Sequence, residues 1–324
     1  MKKVLQNKYI NFLIKLGVLI FLFVILYKQL ILNQSFKEAI QHFKVSTDGN
    51  VYLIFLVFIL MIINWSIETV KWKFLIDKIH FISWLDALEG ILFGITFSMF
   101  TPSRVGEFGG RVFALNSDRI QAIVSTILGS ATQLVVNISL GAIGFLSYLI
   151  VIEQSGKYTL SIILFLVVLL ILLLHICLFN LDIIATKFPK IKQLENIRKY
   201  IDIISLYSNI DLLRVELLSV VRYIIYNIQF ILLLYYFKIE ISFPYAIIIS
   251  MTIFLFQTIN PLNIALIDFG FRGNVALFFL MPFTDNSLNI LAATIFLWFV
   301  NLVIPAIFGG ISALRFKFVS EEQQ

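Results

Sequence analysis

Charge is scarce in this chain. Only 14% of its 324 residues are Asp, Glu, Lys or Arg, where a soluble domain carries about 25%, and no polar stretch is as long as a typical domain. A separate soluble catalytic domain is thereby excluded. Cysteine is scarcer still. The one cysteine, Cys177, lies inside an apolar run, so neither a disulfide framework nor a thiolate metal cluster can be built. Catalytic signatures are missing as well: there is no Gly-x-Ser-x-Gly, no His-Glu-x-x-His, no phosphate loop and no Asp-rich metal motif. The expectation is a protein that is not an enzyme and carries no cofactor.

What the chain has in quantity is apolar surface: 60% hydrophobic residues, 33 Phe and a mean hydropathy of +0.96. Apolar runs near the ~20 residues needed to cross a bilayer recur along its whole length, the pattern of an integral membrane protein. The net charge of +6 does not point to nucleic acid, because the basic residues lie beside apolar runs, where they set membrane orientation.

Full spans are expected at 10–32, 51–72, 120–152, 158–180, 215–237 and 287–314. The first follows Lys2, Lys3 and Lys8, lacks a small-residue cleavage site and is long for a signal peptide, so it is read as retained. Two further apolar stretches, 84–118 and 243–284, are interrupted near their middles by Pro, Gly and charge. Neither half of either stretch is long enough to span. Lipid cannot satisfy the amides and carbonyls of a broken helix, so such backbone survives only inside protein or along a wet cavity. Both stretches are therefore expected to be re-entrant helical hairpins.

The basic residues separate under this scheme. The cytoplasm receives Lys2, Lys3, Lys8, Lys71, Lys73, Lys78, Arg119, the cluster from Lys187 to Lys199, Arg214, Arg315 and Lys317, whereas the outside receives Lys28, Lys37, Lys44, Lys157 and Lys238. Lys15, Arg104, Arg111, Arg222 and Arg272 stay at membrane depth. Both termini then face the cytoplasm, and the setting is the cell membrane. Residues 51–152 read as span, hairpin, span, and 215–314 read the same way with opposite orientation. Inverted repeats with broken helices are the architecture of many secondary transporters. The connection 181–213 reads either as a basic amphipathic helix on the inner leaflet or as a solvated linker.

Charged groups at membrane depth cost at least ~2.5–3.5 kcal/mol each on insertion scales, so they pair or face a wet cavity. In the first hairpin, Pro102, Arg104, Gly106, Glu107 and Arg111 form such a group, with the charges at helical spacing. An Arg–Glu pair there could simply pin the turn. Two arginines against one nearby acid favour the ligand-facing alternative, and a planar guanidinium suits phosphate. The second hairpin offers Asn260, Pro261, Asp268 and Arg272, with Asp268 able to neutralise the arginine. Glu68, Lys71 and Arg222 lie toward the cytoplasmic ends of their spans, where snorkelling or simple pairing is the expected role. His175 reads as an interfacial residue, and Gly90 with Gly94 as a small-residue packing pair.

The run Thr101-Pro102-Ser103-Arg104-Val105-Gly106-Glu107, followed by Arg111, resembles the P-x-R-x-G-E signature of the transmembrane region of the lysylphosphatidylglycerol synthase/flippase family. Pro261 through Gly270-Phe271-Arg272 is similar to that family's second, Gly-rich motif, although Ile267-Asp268 stands where a Gly-Gly pair is usual and Gly273 where an acidic residue follows the arginine. The resemblance implies a lipid flippase that moves an anionic or aminoacylated phospholipid between leaflets. Because the chain stops at Gln324 without a transferase domain, synthesis of that lipid is not expected, and a homo-oligomer or a separate synthase is the implied partner. The competing class is a membrane enzyme or accessory subunit acting on a phospholipid or isoprenoid-linked phosphate.

Overall fold

A computed structural model of the chain describes residues 50–99, 101, 105–113, 119–152, 156–181, 203–260 and 265–313. Among these residues every regular element is helical. The order is α1 (Val51–Ile76), α2 (Trp84–Ser98), α3 (Gly106–Phe113), α4 (Arg119–Val151), α5 (Lys157–Phe179), α6 (Asn209–Tyr236), α7 (Phe243–Ile259), α8 (Ala265–Leu280), α9 (Ser287–Trp298) and α10 (Ile304–Ala313). A 3-10 turn at Met281–Phe283 follows α8, and a π turn at Phe299–Val303 joins α9 to α10.

Five stretches are long and apolar enough to cross a membrane: Val51–Ile76, Gln121–Val151, Tyr158–Phe179, Asn209–Tyr236 and the continuous Ser287–Ile311. They fall where five of the expected spans lie, and the expected span at 10–32 lies outside the described residues, as does most of the 181–213 connection. α6 begins earlier than the anticipated 215. The Ser208 hydroxyl accepts from the Asp211 amide at 3.3 Å while the Asp211 carboxylate accepts from the Ser208 amide at 2.9 Å, a capping box that fixes the helix start.

The two interrupted stretches are helical on both sides of their breaks. α2 has 15 residues, α7 17 and α8 16, so each is about 22–26 Å long against a ~30 Å hydrocarbon core. α3 packs back along α2 in the opposite direction, since Gly106 lies against Phe97 and Gly110 against Gly94. Approach this close depends on the absence of side chains: a Cβ on Gly110 would stand 2.3 Å from the Gly94 Cα. α8 likewise returns along α7, with Arg272 beside Gln257 and Phe283 beside Tyr245.

The units opened by α1 and α6 exchange contacts in a reciprocal pattern. α1 and α6 run antiparallel, Arg222 meeting Asn64 and Gln229 donating to the Val57 carbonyl at 3.0 Å. α2 packs on α10, where Thr96 donates to the Ala306 carbonyl at 2.8 Å. α7 packs on α4, with Leu255 over Gly141 and Met251 over Gly144. The first half-helix of each broken stretch thus leans on the last helix of the other unit. α5 stands apart from this core: only 6% of its apolar window is buried, compared with 50% for α6. Ile162, Leu166 and Leu173 on it are exposed, which requires an apolar surrounding.

The α2–α10 contact makes a direct prediction. A Cβ on Gly309 would fall 2.0 Å from the Leu92 carbonyl oxygen, whereas one on Gly270 meets nothing within 4 Å. Overpacking against backbone costs about 1–3 kcal/mol, so Gly309→Ala should lower the melting temperature of detergent-purified protein and Gly270→Ala should not. Equal melting of both variants would refute the contact.

Candidate functional site

A polar stripe runs down one face of α1, with Asn64, Glu68 and Lys71 at spacings of four and three residues, so they share one side of the helix. The side is turned inward: Glu68 is 4% and Lys71 1% exposed. Snorkelling is therefore excluded for these residues, because the face they share packs on α4 and α6 rather than on lipid.

Glu68 is the hub of a buried ionic network. Its Oε2 accepts from Lys71 Nζ at 2.8 Å and from Arg222 Nη1, and its Oε1 accepts from Arg111 Nη2 at 2.9 Å. Arg111 Nη2 also donates to Glu107 Oε1. Uncharged groups complete the shell. Arg222 Nε donates to Asn64 Oδ1 at 3.0 Å and Arg222 Nη1 to Gln133 Oε1 at 3.2 Å. Lys71 Nζ reaches Gln133 Oε1 at 3.3 Å and Ser219 Oγ at 3.4 Å, and Gln133 is held through its amide nitrogen by Asn137 and the Ser219 carbonyl. Two indoles flank the guanidiniums, Arg111 lying 5.8 Å from the Trp72 ring and Arg222 5.5 Å from the Trp65 ring, within cation–π range. One carboxylate thereby ties together α1, the α2–α3 hairpin and α6.

This network forms one wall of a cavity of about 570 Å³, a volume suited to a small polar ligand. Glu68, Lys71, Glu107 and Arg222 line it on that side, and Gln257 and Arg272 line it from the α7–α8 hairpin, Arg272 Nη1 donating to Gln257 Oε1 at 3.1 Å. Apolar and aromatic side chains, among them Ile127, Leu134, Tyr226, Phe254 and Leu302, make up much of the remainder. Counting described residues, three cations and two carboxylates occupy the network, and Arg272 adds a further cation across the cavity. Among the described residues no group of His, Cys, Asp and Glu is placed to hold a metal ion.

The structure brings Glu107, Arg111 and Arg272 of the sequence-derived set to this place. Arg111 does not line the cavity; at 1% exposed it stands behind the wall, positioning both carboxylates. Gly106 is the first residue of α3, where its amide donates to the Thr101 hydroxyl at 2.7 Å. Asn260 is buried at the end of α7. Pro102, Arg104 and Pro261 lie outside the described residues, as does the side chain of Asp268. Asn64, Glu68, Lys71, Gln133 and Arg222 belong to the site but not to the sequence-derived set; of these, the sequence reading takes Glu68, Lys71 and Arg222 as snorkelling or simply paired, and the structure shows them paired. His175, half-buried on α5, contacts Glu216 of α6 at 2.8 Å and is not among the residues that line the cavity.

Comparison of the chain with protein-family models, curated proteins and solved structures gives no match.

Removing the hub should cost more than removing its satellite. Breaking a buried ion pair from one side costs about 3–5 kcal/mol, since it strands uncompensated charge. Glu68 faces three cations, while the Glu107 side chain is three times as exposed, 16% against 5%. Glu68→Gln is expected to lower unfolding free energy in mixed micelles by about 3–5 kcal/mol and Glu107→Gln by less. The reverse order would remove Glu68 from the centre of the network.

Proposed function

We propose that the chain is a lipid translocator, in which the cavity shelters the phosphate-bearing headgroup of an anionic lipid while the acyl chains remain in the bilayer. The single observation that carries this reading is a cavity at the meeting point of two broken-helix units, lined by Lys71, Arg222 and Arg272 on its polar sides and by aliphatic and aromatic residues elsewhere. A headgroup charge crossing bare hydrocarbon faces a penalty of several kcal/mol or more, which a wet, cationic cavity removes. Arg222 and Arg272 supply planar forks for phosphate oxygens, and Lys71 supplies a point charge. Glu68 holds Lys71 and Arg222 in place when no headgroup is present. An incoming phosphate competes with Glu68 for the same donors, so binding loosens a contact that joins α1 to α6.

We read the two units as inverted copies, each a span, a re-entrant hairpin and a span, with both termini in the cytoplasm of a cell-membrane protein. The antiparallel run of α1 against α6 supports this, because a two-fold axis that exchanges antiparallel helices lies across them, in the membrane plane. The reciprocal packing of α2 on α10 and α7 on α4 supports it as well. Such a pair of units has two related arrangements, one open to each side, which is how secondary transporters alternate. The similarity of residues 101–107 to the lysylphosphatidylglycerol synthase/flippase motif points in the same direction.

Topology can be tested with single cysteines in a Cys177→Ser background. Cysteines at Ser83 and Ser208 should label from the cytoplasm and those at Ser242 and Asn286 from outside; labelling of Ser242 and Asn286 from opposite faces would rule out the second re-entrant hairpin. Transport is tested with purified protein in liposomes carrying acyl-labelled phosphatidylglycerol. Leaflet exchange should proceed without ATP, and Arg272→Gln should slow it about tenfold to hundredfold, the worth of one charge-assisted hydrogen bond, while the melting temperature stays within a few degrees. Exchange no faster than in protein-free vesicles would defeat the translocator reading.

A further inference from the structure

Among the polar atoms of cavity-lining residues that the ionic network leaves without partners are two of complementary kind. The Trp65 Nε1 donor and the Asn301 Oδ1 acceptor have no hydrogen-bond partner among the described residues, although both residues line the cavity and are more than nine-tenths buried, at 8% and 5% exposed. Buried polar atoms in folded proteins are nearly always paired, so each such atom calls for an explanation. Trp65 cannot satisfy its donor by rotating a terminal group, because the indole is rigid and its face is already occupied by Arg222 at 5.5 Å. Asn301 is fixed too, with its amide nitrogen donating to the Leu297 carbonyl at 3.2 Å, which leaves the oxygen as the available end.

The position of Asn301 is itself unusual. It sits in the π turn Phe299–Val303, where the Ile304 amide bonds five residues back to the Phe299 carbonyl. Pro305 follows directly and has no amide hydrogen, and in a regular helix its ring would press on the Asn301 carbonyl. Such turns interrupt helices at functional sites more often than elsewhere.

A hydroxyl is one group that can both accept from an indole N–H and donate to an amide oxygen. We propose that Trp65 and Asn301 form a hydroxyl subsite beside the anion-binding wall, and that the cavity takes a headgroup in which the phosphate carries a polyol or a sugar. This inference rests on the translocator reading for its lipid, and on the two unpartnered atoms for its hydroxyl. The phosphate faces Lys71, Arg222 and Arg272, and the hydroxyl-bearing group faces the neutral pair. A phosphate ester with no hydroxyl fills the first part of the site and leaves the second unpaired.

The test uses two lipids with identical acyl chains, phosphatidylglycerol and phosphatidylmethanol, which differ in the headgroup hydroxyls. Binding to the detergent-purified full chain is measured by native mass spectrometry, and leaflet exchange is measured separately in liposomes. The expected result is about tenfold tighter binding of phosphatidylglycerol, the worth of roughly one neutral hydrogen bond. Trp65→Phe and Asn301→Leu, made separately, should each bring phosphatidylglycerol down toward phosphatidylmethanol. Equal binding of the two lipids by the unmodified protein would overturn the subsite without any variant needing to fold. Loss of the same factor for both lipids in the variants would overturn it too, as would no change in either, the outcome expected if ordered water alone serves the two atoms. Preferential binding without leaflet exchange would preserve the subsite and sink the translocator reading, whereas exchange of both lipids with equal binding would do the reverse.

Discussion

A carboxylate placed among apolar helices must be met by positive charge, and Glu68 is met by Lys71, Arg111 and Arg222. Much else in the molecule answers to that requirement. The arginines come from different helices, so the charge balance can close only when α1, α3 and α6 are assembled. Gln133, Asn64 and Ser219 then serve the remaining donors. Buried networks of this kind are strong when complete and costly when any member is lost. The arrangement is therefore a demand on the fold as much as a source of stability. It places a charged surface where four long helices and two broken ones converge.

The broken helices resolve a conflict between two environments. A half-helix of 15 to 17 residues leaves polar backbone at its broken end, which lipid cannot solvate. The first half-helices, α2 and α7, pack instead on their own returning partners and on the last helix of the other unit. The cover is tight where glycine permits, at Gly94 with Gly110 and at Gly309 with Leu92. Close backbone packing takes over the role that hydrophobic burial has in water, because inside a bilayer apolar side chains gain little by leaving lipid for protein.

Much of this was legible beforehand. Hydropathy located the long helices, and the Phe100–Glu107 and Asn260–Gly273 segments marked both interruptions, because Pro, Gly and charge have few other uses inside a long apolar stretch. The capping box at Ser208 was equally present in the sequence, and it starts α6 at Asn209 rather than at 215. The site was read less completely. Arg111 and Glu107 stood out through their motif, whereas Arg222, Glu68 and Lys71 were read as span-end charges that snorkel or simply pair, and Asn64, on the same helix as the last two, was not singled out. Taken together, the spacing of Asn64, Glu68 and Lys71 by four and three residues draws a polar stripe on an apolar helix, the pattern of a face turned toward protein. No sequence pattern revealed that Arg111 stands behind the cavity wall while Arg222 faces it. That distinction depends on how α3 and α6 approach α1, which is a matter of tertiary packing alone.

The π turn before Pro305 inserts one residue into the winding of the last long helix, which rotates everything after it by about 100° relative to an unbroken α-helix. Asn301 lies within that turn and Gly309 beyond it, one along the cavity and the other against the Leu92 carbonyl. A helix of uniform pitch could keep one of them in place but would swing the other away. The turn therefore acts as a phase shifter, letting a single rod address two partners at incompatible angles. Any relaxation of the turn to regular pitch would twist the α2 hairpin contact and the cavity wall in opposite senses, so a local change in winding would be felt at both ends of the rod.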